Sequence, residues 1–333
     1  MSAIQFLIIG AQKGGTTSLF EYMRRHPQIH MPANKEISFF DLNYSRGEEW
    51  YLASVLRDAR PGAVCGEASV GYMCGTPYGE FRNDRNWDAH LSARYEDQLE
   101  NIIPGRIGRL LPEIRLICVL RDPVARAYSH YSMACLGKAE TRSFDQAVED
   151  LLAQDAMEHA RAMPLSDNGY IANGEYGRVL AGYLRTFARE QLKVVFSDEL
   201  SNSPADTLAQ VFEFVGVDAG YEPENLDTRY RAAALEPRVQ GLDLYAWQRR
   251  LAAASPARSA WRRLPGGVRE RVGRTYSVAS FRTEMWNARR GVQEQEMSSS
   301  TRHRLMDHFR GDAELLRSLM GEEIPWLLEW GGS

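Results

Sequence analysis

Apolar residues in the first two hundred positions follow two alternating patterns, short unbroken runs and longer stretches with helical spacing. Residues 4–9, IQFLII, are too few for a helix and rich in Ile. Gly10 to Gly15 break the run before a helical pattern, Ser18-Leu19-Phe20-Glu21-Tyr22-Met23, which predicts strand, loop, helix. A second such unit opens at Arg115. RLICVL reads as a strand buried on both faces, Arg121-Asp122-Pro123 turns the chain, and VARAYSHYSM resumes helical spacing, with Pro123 in the first turn and Asp122 as N-cap. A third unit places Val179, Leu180, Tyr183, Leu184 and Phe187 on one side of a helix over 176–189, followed by the strand LKVVFSDEL.

Strands alternating with helices predict an α/β fold of three layers, a central parallel sheet flanked by helices. Ligands of such sheets bind beyond the carboxyl ends of the strands. Lys13 and Arg121 both fall there, so two cations from separate strands converge on one crevice.

After about residue 220 the pattern changes. Residues 228–297 are rich in Arg, Ala and Trp and are interrupted by Pro256 and by Pro265-Gly266-Gly267. We expect a mainly helical insertion there, and its Trp247, Trp261 and Trp286 suit either a lid over an acceptor or helices packed on the domain or on a second subunit. STRHRLMDHFRGDAELLRSLMG then predicts a closing helix with its N-cap near Ser300. The expected organisation is a core of residues 1–227, the insertion at 228–297, and a C-terminal segment, 298–333, packing back on the core.

With 333 residues, 44% hydrophobic and 25% charged, the chain can bury a large core. A net charge of −4 gives no support for general nucleic-acid binding, so an anion site must be a local concentration of cations and backbone N–H groups. No apolar run approaches the roughly 20 residues of a membrane span. The composition reads as that of a cytoplasmic protein without stable membrane insertion, and it leaves the oligomeric state open. Cys65, Cys74, Cys118 and Cys135 contain no C-x-x-C pair, which predicts free thiols rather than a zinc site or a disulfide framework.

The loop behind the first strand, GAQKGGTTS, carries the candidate chemistry. Gly10, Gly14 and Gly15 let backbone approach an anion, and Thr16, Thr17 and Ser18 add hydroxyls and N–H groups at a helix N-terminus, where the dipole favours negative charge. This describes a phosphate or sulfate cradle. A Walker A lysine would follow the second glycine, whereas Lys13 precedes both, at the mouth of the loop.

The run K-G-G-T-T resembles the 5′-phosphosulfate loop of sulfotransferases, specifically the carbohydrate and bacterial branches that use 3′-phosphoadenosine 5′-phosphosulfate (PAPS). Four more stretches carry the resemblance in order. NKEISFFDLNYSRGEEWYLASV and VCGEASVGYM are similar to stretches of the heparan-type enzymes; RDPVARAYSHY resembles the 3′-phosphate segment; and GEYGRVLAGYLRTFAREQLKVVFSDEL aligns with a later helix and strand. The likeness is faint beyond residue 220 apart from the last helix. No cysteine follows residue 135, so the C-terminal disulfide loop of the Golgi members has no counterpart, and Arg289-Arg290-Gly291 matches their K-G-R segment only loosely.

The resemblance implies roles. Lys13 with Gly14, Gly15, Thr16, Thr17 and Ser18 would hold the 5′-phosphosulfate, and Arg121 and Ser129 the 3′-phosphate, leaving adenosine 3′,5′-bisphosphate (PAP) as product. Glu67 would be the general base, and Lys35 would touch both sulfuryl group and acceptor; no metal is implied. The acceptor would be a small molecule, a glycan or a glycolipid. Other readings of the residues are a Glu67 that is only structural and ion-paired with Lys35, and His90 or His130 as base. Rival functions are a P-loop small-molecule kinase with Asp198 on Mg²⁺, and a non-catalytic nucleotide-binding module.

Overall fold

A computed structural model of the chain describes residues 3–74, 101–136, 139–162, 168–226 and 297–331. The insertion expected over 228–297, with its three tryptophans and Arg289-Arg290-Gly291, lies outside the described residues, and so does His90. Contacts separate a unit of residues 1–131, 142–230 and 296–333, which carries every described strand, from a second unit that includes residues 132–136 and 139–141.

The runs read as buried strands are β1 (Phe6–Gly10), β4 (Arg115–Leu120) and β5 (Leu192–Phe196). With β2 (Ile29–His30) and β3 (Val64–Ala68) they form a parallel sheet in the order β2-β3-β1-β4-β5. β1 is central, its Phe6 standing opposite both Gly66 of β3 and Arg115 of β4. Phe6, Leu7, Ile8 and Ile9 are all fully buried, because helices cover both faces of the sheet and leave no polar side for alternation.

The helices are α1 (Thr16–Met23), α2 (Glu48–Leu56), α3 (Ile102–Leu110), α4 (Pro123–Leu136), α5 (Phe144–Leu151), α6 (Gln154–Ala162), α7 (Gly169–Ala172), α8 (Tyr176–Leu184), α9 (Ser197–Asn202), α10 (Pro204–Val215), α11 (Ser299–Met320) and α12 (Pro325–Gly331). On one face Phe6, Ile8, Ile117, Val119 and Val195 pack against Leu19, Phe20 and Met23 of α1 and Leu208, Val211 and Phe212 of α10. On the other face the Phe196 ring meets Trp326 of α12 at 5.7 Å, and Trp326 meets Tyr176 of α8 at 5.9 Å. The three layers are thus in place.

One carboxylate of α11 caps α8. Asp312 accepts from the N–H groups of Gly177 and Arg178, both at 2.8 Å, and so caps the α8 N-terminus from outside the helix. Gly177 is required by space, since a Cβ there would stand 2.3 Å from the Asp312 carbonyl oxygen. The cap of α11 lies two residues before the expected Ser300: Ser298 accepts from Thr301 N at 3.2 Å, and its hydroxyl also donates to Asp145. The four cysteines are free thiols.

Candidate functional site

The sheet order sends the chain to one side of β1 for β2 and β3 and to the other for β4 and β5, so the loops after β1 and β4 flank a topological switch point. The loop after β1 is tied to β4 by an Ala11 N–H bond to the Val119 carbonyl at 3.0 Å. Gly14 closes a tight turn by donating to the Ala11 carbonyl at 2.9 Å, and a Cβ at Gly14 would lie 2.1 Å from the Val119 oxygen. Only glycine fits between the turn and that strand.

Lys13 and Gly15 both hold left-handed backbone, with φ of 68° and 111°. Gly15 is the N-cap of α1, which therefore begins at Thr16, ahead of the expected Ser18. The first turn of α1 carries no acidic side chain, and no side chain caps it. N–H groups of such a turn have no intrahelical acceptor, so Thr16 and Thr17 present donors and the positive end of the helix dipole to the crevice.

Three cations share this place. Burial, and then the charges of Arg121 and Arg126, push the Lys13 pKa below the usual lysine value. Lys13 and Arg121 are half-buried, and no carboxylate among the described residues compensates Lys13 or Arg126. Arg121 is held from behind, its carbonyl accepting the Tyr176 hydroxyl at 2.9 Å. Asp122 caps α4 as the sequence predicts, accepting from Ala125 N at 2.7 Å, while its other oxygen accepts the Trp330 indole N–H at 3.1 Å. Ser129 follows in the second turn of α4, half-buried.

Glu67 lies on β3 beside Leu7 of β1 and is fully buried. Its carboxylate takes hydrogen bonds from Tyr72 Oη at 2.6 Å, Ser69 Oγ at 2.8 Å and Tyr51 Oη at 3.5 Å. Burial raises its pKa to about 8, against the pull of the Tyr72 and Ser69 hydrogen bonds and with a further push from Glu36 and Asp41. A carboxyl poised there can exchange a proton near neutral pH.

Lys35 does not pair with Glu67. It binds its neighbour Glu36 at 2.5 Å, and Glu36 in turn accepts from Val70 N at 2.9 Å. The physical reason is the left-handed turn at Glu36 (φ 65°), whose N–H bonds the Ala68 carbonyl and so lays Lys35-Glu36 across the end of β3. His130 is buried, and burial followed by the charges of Arg126 and Lys13 drives its pKa well below the ordinary value, which suits a neutral ring rather than a proton shuttle. Asp198 lies exposed in the first turn of α9 rather than at the end of a strand.

Sequence reasoning passes over Arg126, whose side chain is enclosed behind the loop. The available signal is its spacing of four from His130, which puts the two polar side chains on one face of α4. Among the described residues no helix is long and apolar enough to cross a membrane, and no group of three His, Cys, Asp or Glu is placed to hold a metal ion.

Residues 3–236 match the family model described as a sulfotransferase domain, and the chain belongs to that family. It is 31% identical over 215 residues to mouse (Mus musculus) heparan sulfate glucosamine 3-O-sulfotransferase 3B1, a match that covers 64% of this chain and 46% of the relative. It is 28% identical over 222 residues to the bifunctional heparan sulfate N-deacetylase/N-sulfotransferase of Drosophila melanogaster, covering 64% of this chain and 20% of that one. The chain thus spans less than half the length of these relatives. A sulfotransferase crystal structure from Alicyclobacillus acidocaldarius shares the fold, with a TM-score of 0.60 at 22% identity over 98% of both chains.

Proposed function

We propose that the protein transfers the sulfuryl group of PAPS to a hydroxyl of a small-molecule, glycan or glycolipid acceptor, releasing PAP. The observation that carries this reading is the meeting of Lys13 and Arg121 at the ends of adjacent strands, around a glycine loop, with no protein carboxylate to neutralise Lys13 among the described residues. Such a site calls for a ligand with two separated anionic groups.

In this reading Lys13 and the loop Gly14 to Ser18, through the N–H groups of Thr16 and Thr17, hold the 5′-phosphosulfate and stabilise charge that grows on the bridging oxygen as the sulfuryl group leaves. Arg121 and Ser129 grip the 3′-phosphate. Glu67 accepts the proton of the acceptor hydroxyl, and Lys35, pinned by Glu36, orients the acceptor. Sulfuryl transfer is an in-line displacement like phosphoryl transfer, so positioning and charge stabilisation supply most of the rate. We further read the protein as acting in the cytoplasm.

Titration calorimetry with PAP and AMP tests the donor. PAP should bind far more tightly, and Arg121→Ala should remove roughly 1.5–3 kcal/mol of that preference, the worth of a charged donor on a dianion. Equal affinities would remove the case for PAPS, and magnesium-dependent ATP turnover would favour the kinase. Incubation with PAPS and acceptor pools, read by mass for sulfate gain, identifies the acceptor; no gain with any pool would favour the non-catalytic module.

A further inference from the structure

Arg126 lies in the first turn of α4 with no exposed surface. A guanidinium keeps its proton in a protein, so its burial removes a whole positive charge from water. Its Nη1 donates to the Gln12 carbonyl at 3.5 Å and faces His130 Nδ1 at 3.4 Å, and its Nη2 donates to the Tyr170 carbonyl. Among the described residues the enclosed Nε has no acceptor, and every partner of the guanidinium is neutral. Arg121 is the permanently charged neighbour acting on it, and Arg126 acts in turn on Lys13, all three of the same sign.

A fold retains a lone buried cation only where something offsets its desolvation. Gln12 immediately precedes Lys13, so the contact at its carbonyl joins Arg126 to the anion loop at the point where the candidate catalytic lysine departs. A charge in this dry setting acts over several ångströms with little screening.

We propose that Arg126 is a positioning residue whose counter-charge is the bound anion itself: it fixes the Gln12 carbonyl, raises the positive potential around Lys13, and is neutralised only when a phosphate- or sulfate-bearing ligand enters the loop. The inference rests on the loop being an anion site. It goes further in predicting that the ligand-free protein carries a cost that ligand relieves, and that charge at Arg126 outweighs its shape.

The test uses the full chain with Arg126→Lys, Arg126→Gln and Arg126→Met, each titrated with PAP, ADP and inorganic sulfate and melted with and without PAP. Arg126→Gln and Arg126→Met should keep or raise the ligand-free melting temperature, lose most of the PAP-induced rise, and bind PAP about tenfold or more weakly, the fold-change of one lost charged contact. Arg126→Lys should restore most of the affinity. The proposal is overturned if the neutral variants bind PAP like wild type, if Lys rescues no better than Gln, or if only Lys and Arg permit folding without ligand. A wild type that binds ADP as tightly as PAP, with the Arg126 variants still weakened for both, would overturn the PAPS reading alone; a wild type that binds none of the three probes overturns both.

Discussion

The Tyr72 hydroxyl stands between two buried groups, 2.6 Å from Glu67 Oε1 and 2.9 Å from the Phe39 amide nitrogen. Because the amide donates to the phenolic oxygen, the phenolic hydrogen is committed to the carboxylate. Ser69 repeats the arrangement, accepting from Ser38 N at 2.9 Å and donating to Glu67 Oε2. Both donors favour the ionised form and hold it in one orientation.

Glu67→Gln keeps the shape and removes the base. Turnover should fall roughly 10²- to 10⁴-fold, the usual worth of general-base assistance, with PAP affinity unchanged by calorimetry. A variant that turns over at the wild-type rate would move the base elsewhere.

Rate and stability should respond to pH in opposite senses through Glu67. The folded carboxyl holds its proton up to about 8, against 4.5 for the free side chain. The acceptor kcat/KM should therefore climb with pH and level off above about 8, and Tyr72→Phe, which removes a donor to the anion, should move the inflection higher. Between those two values the folded state binds more protons than the unfolded one, so stability falls as pH rises. Urea unfolding across this range should show that slope in the wild type and lose it in Glu67→Gln.

Glu175 should behave in reverse. Burial pushes its pKa up, but hydrogen bonds from His308 and Arg161 and the charges of Arg178 and Arg161 outweigh it and bring the group to about 2. Its stabilisation is present above the unfolded value of 4.5 and lost as pH falls toward 2. Glu175→Gln should flatten this acid limb in melts at graded pH. At neutral pH it should cost up to about 3 kcal/mol, the low end for a broken buried pair, because Arg161 is 39% exposed.

Two glycines should answer alanine with opposite signs. Gly14→Ala drives a methyl group into the Val119 carbonyl and should cost at least about 1–3 kcal/mol along with PAP binding. Gly311 sits inside α11 with nothing within 4 Å of an added Cβ, so Gly311→Ala should raise stability by about 0.5–1 kcal/mol. Thermal melts with and without PAP read both.

What is legible in the sequence is local. Unbroken apolar runs reveal β1, β4 and β5, and the turn Arg121-Asp122-Pro123 reveals the start of α4, since strand burial and capping depend on neighbours in the chain. The two-residue β2 has no such run. The partner of Lys35 depends on a left-handed turn at Glu36, a conformation that no composition announces. The enclosure of Arg126 depends on Tyr170, 44 residues away, and an arginine on a helix looks the same in sequence whether it reaches water or is sealed in.

The central place of β1 has a kinetic consequence. Its partners, Gly66 and Arg115, are far from Phe6 along the chain, and the loop after β1 takes its shape from the Val119 carbonyl. Residues 10–18 are contiguous, yet their fold is a non-local product, and closing such long loops precedes any reward from pairing. The anion loop should accordingly mature among the last events of folding, and PAP added during refolding should slow unfolding without accelerating the formation of the native state.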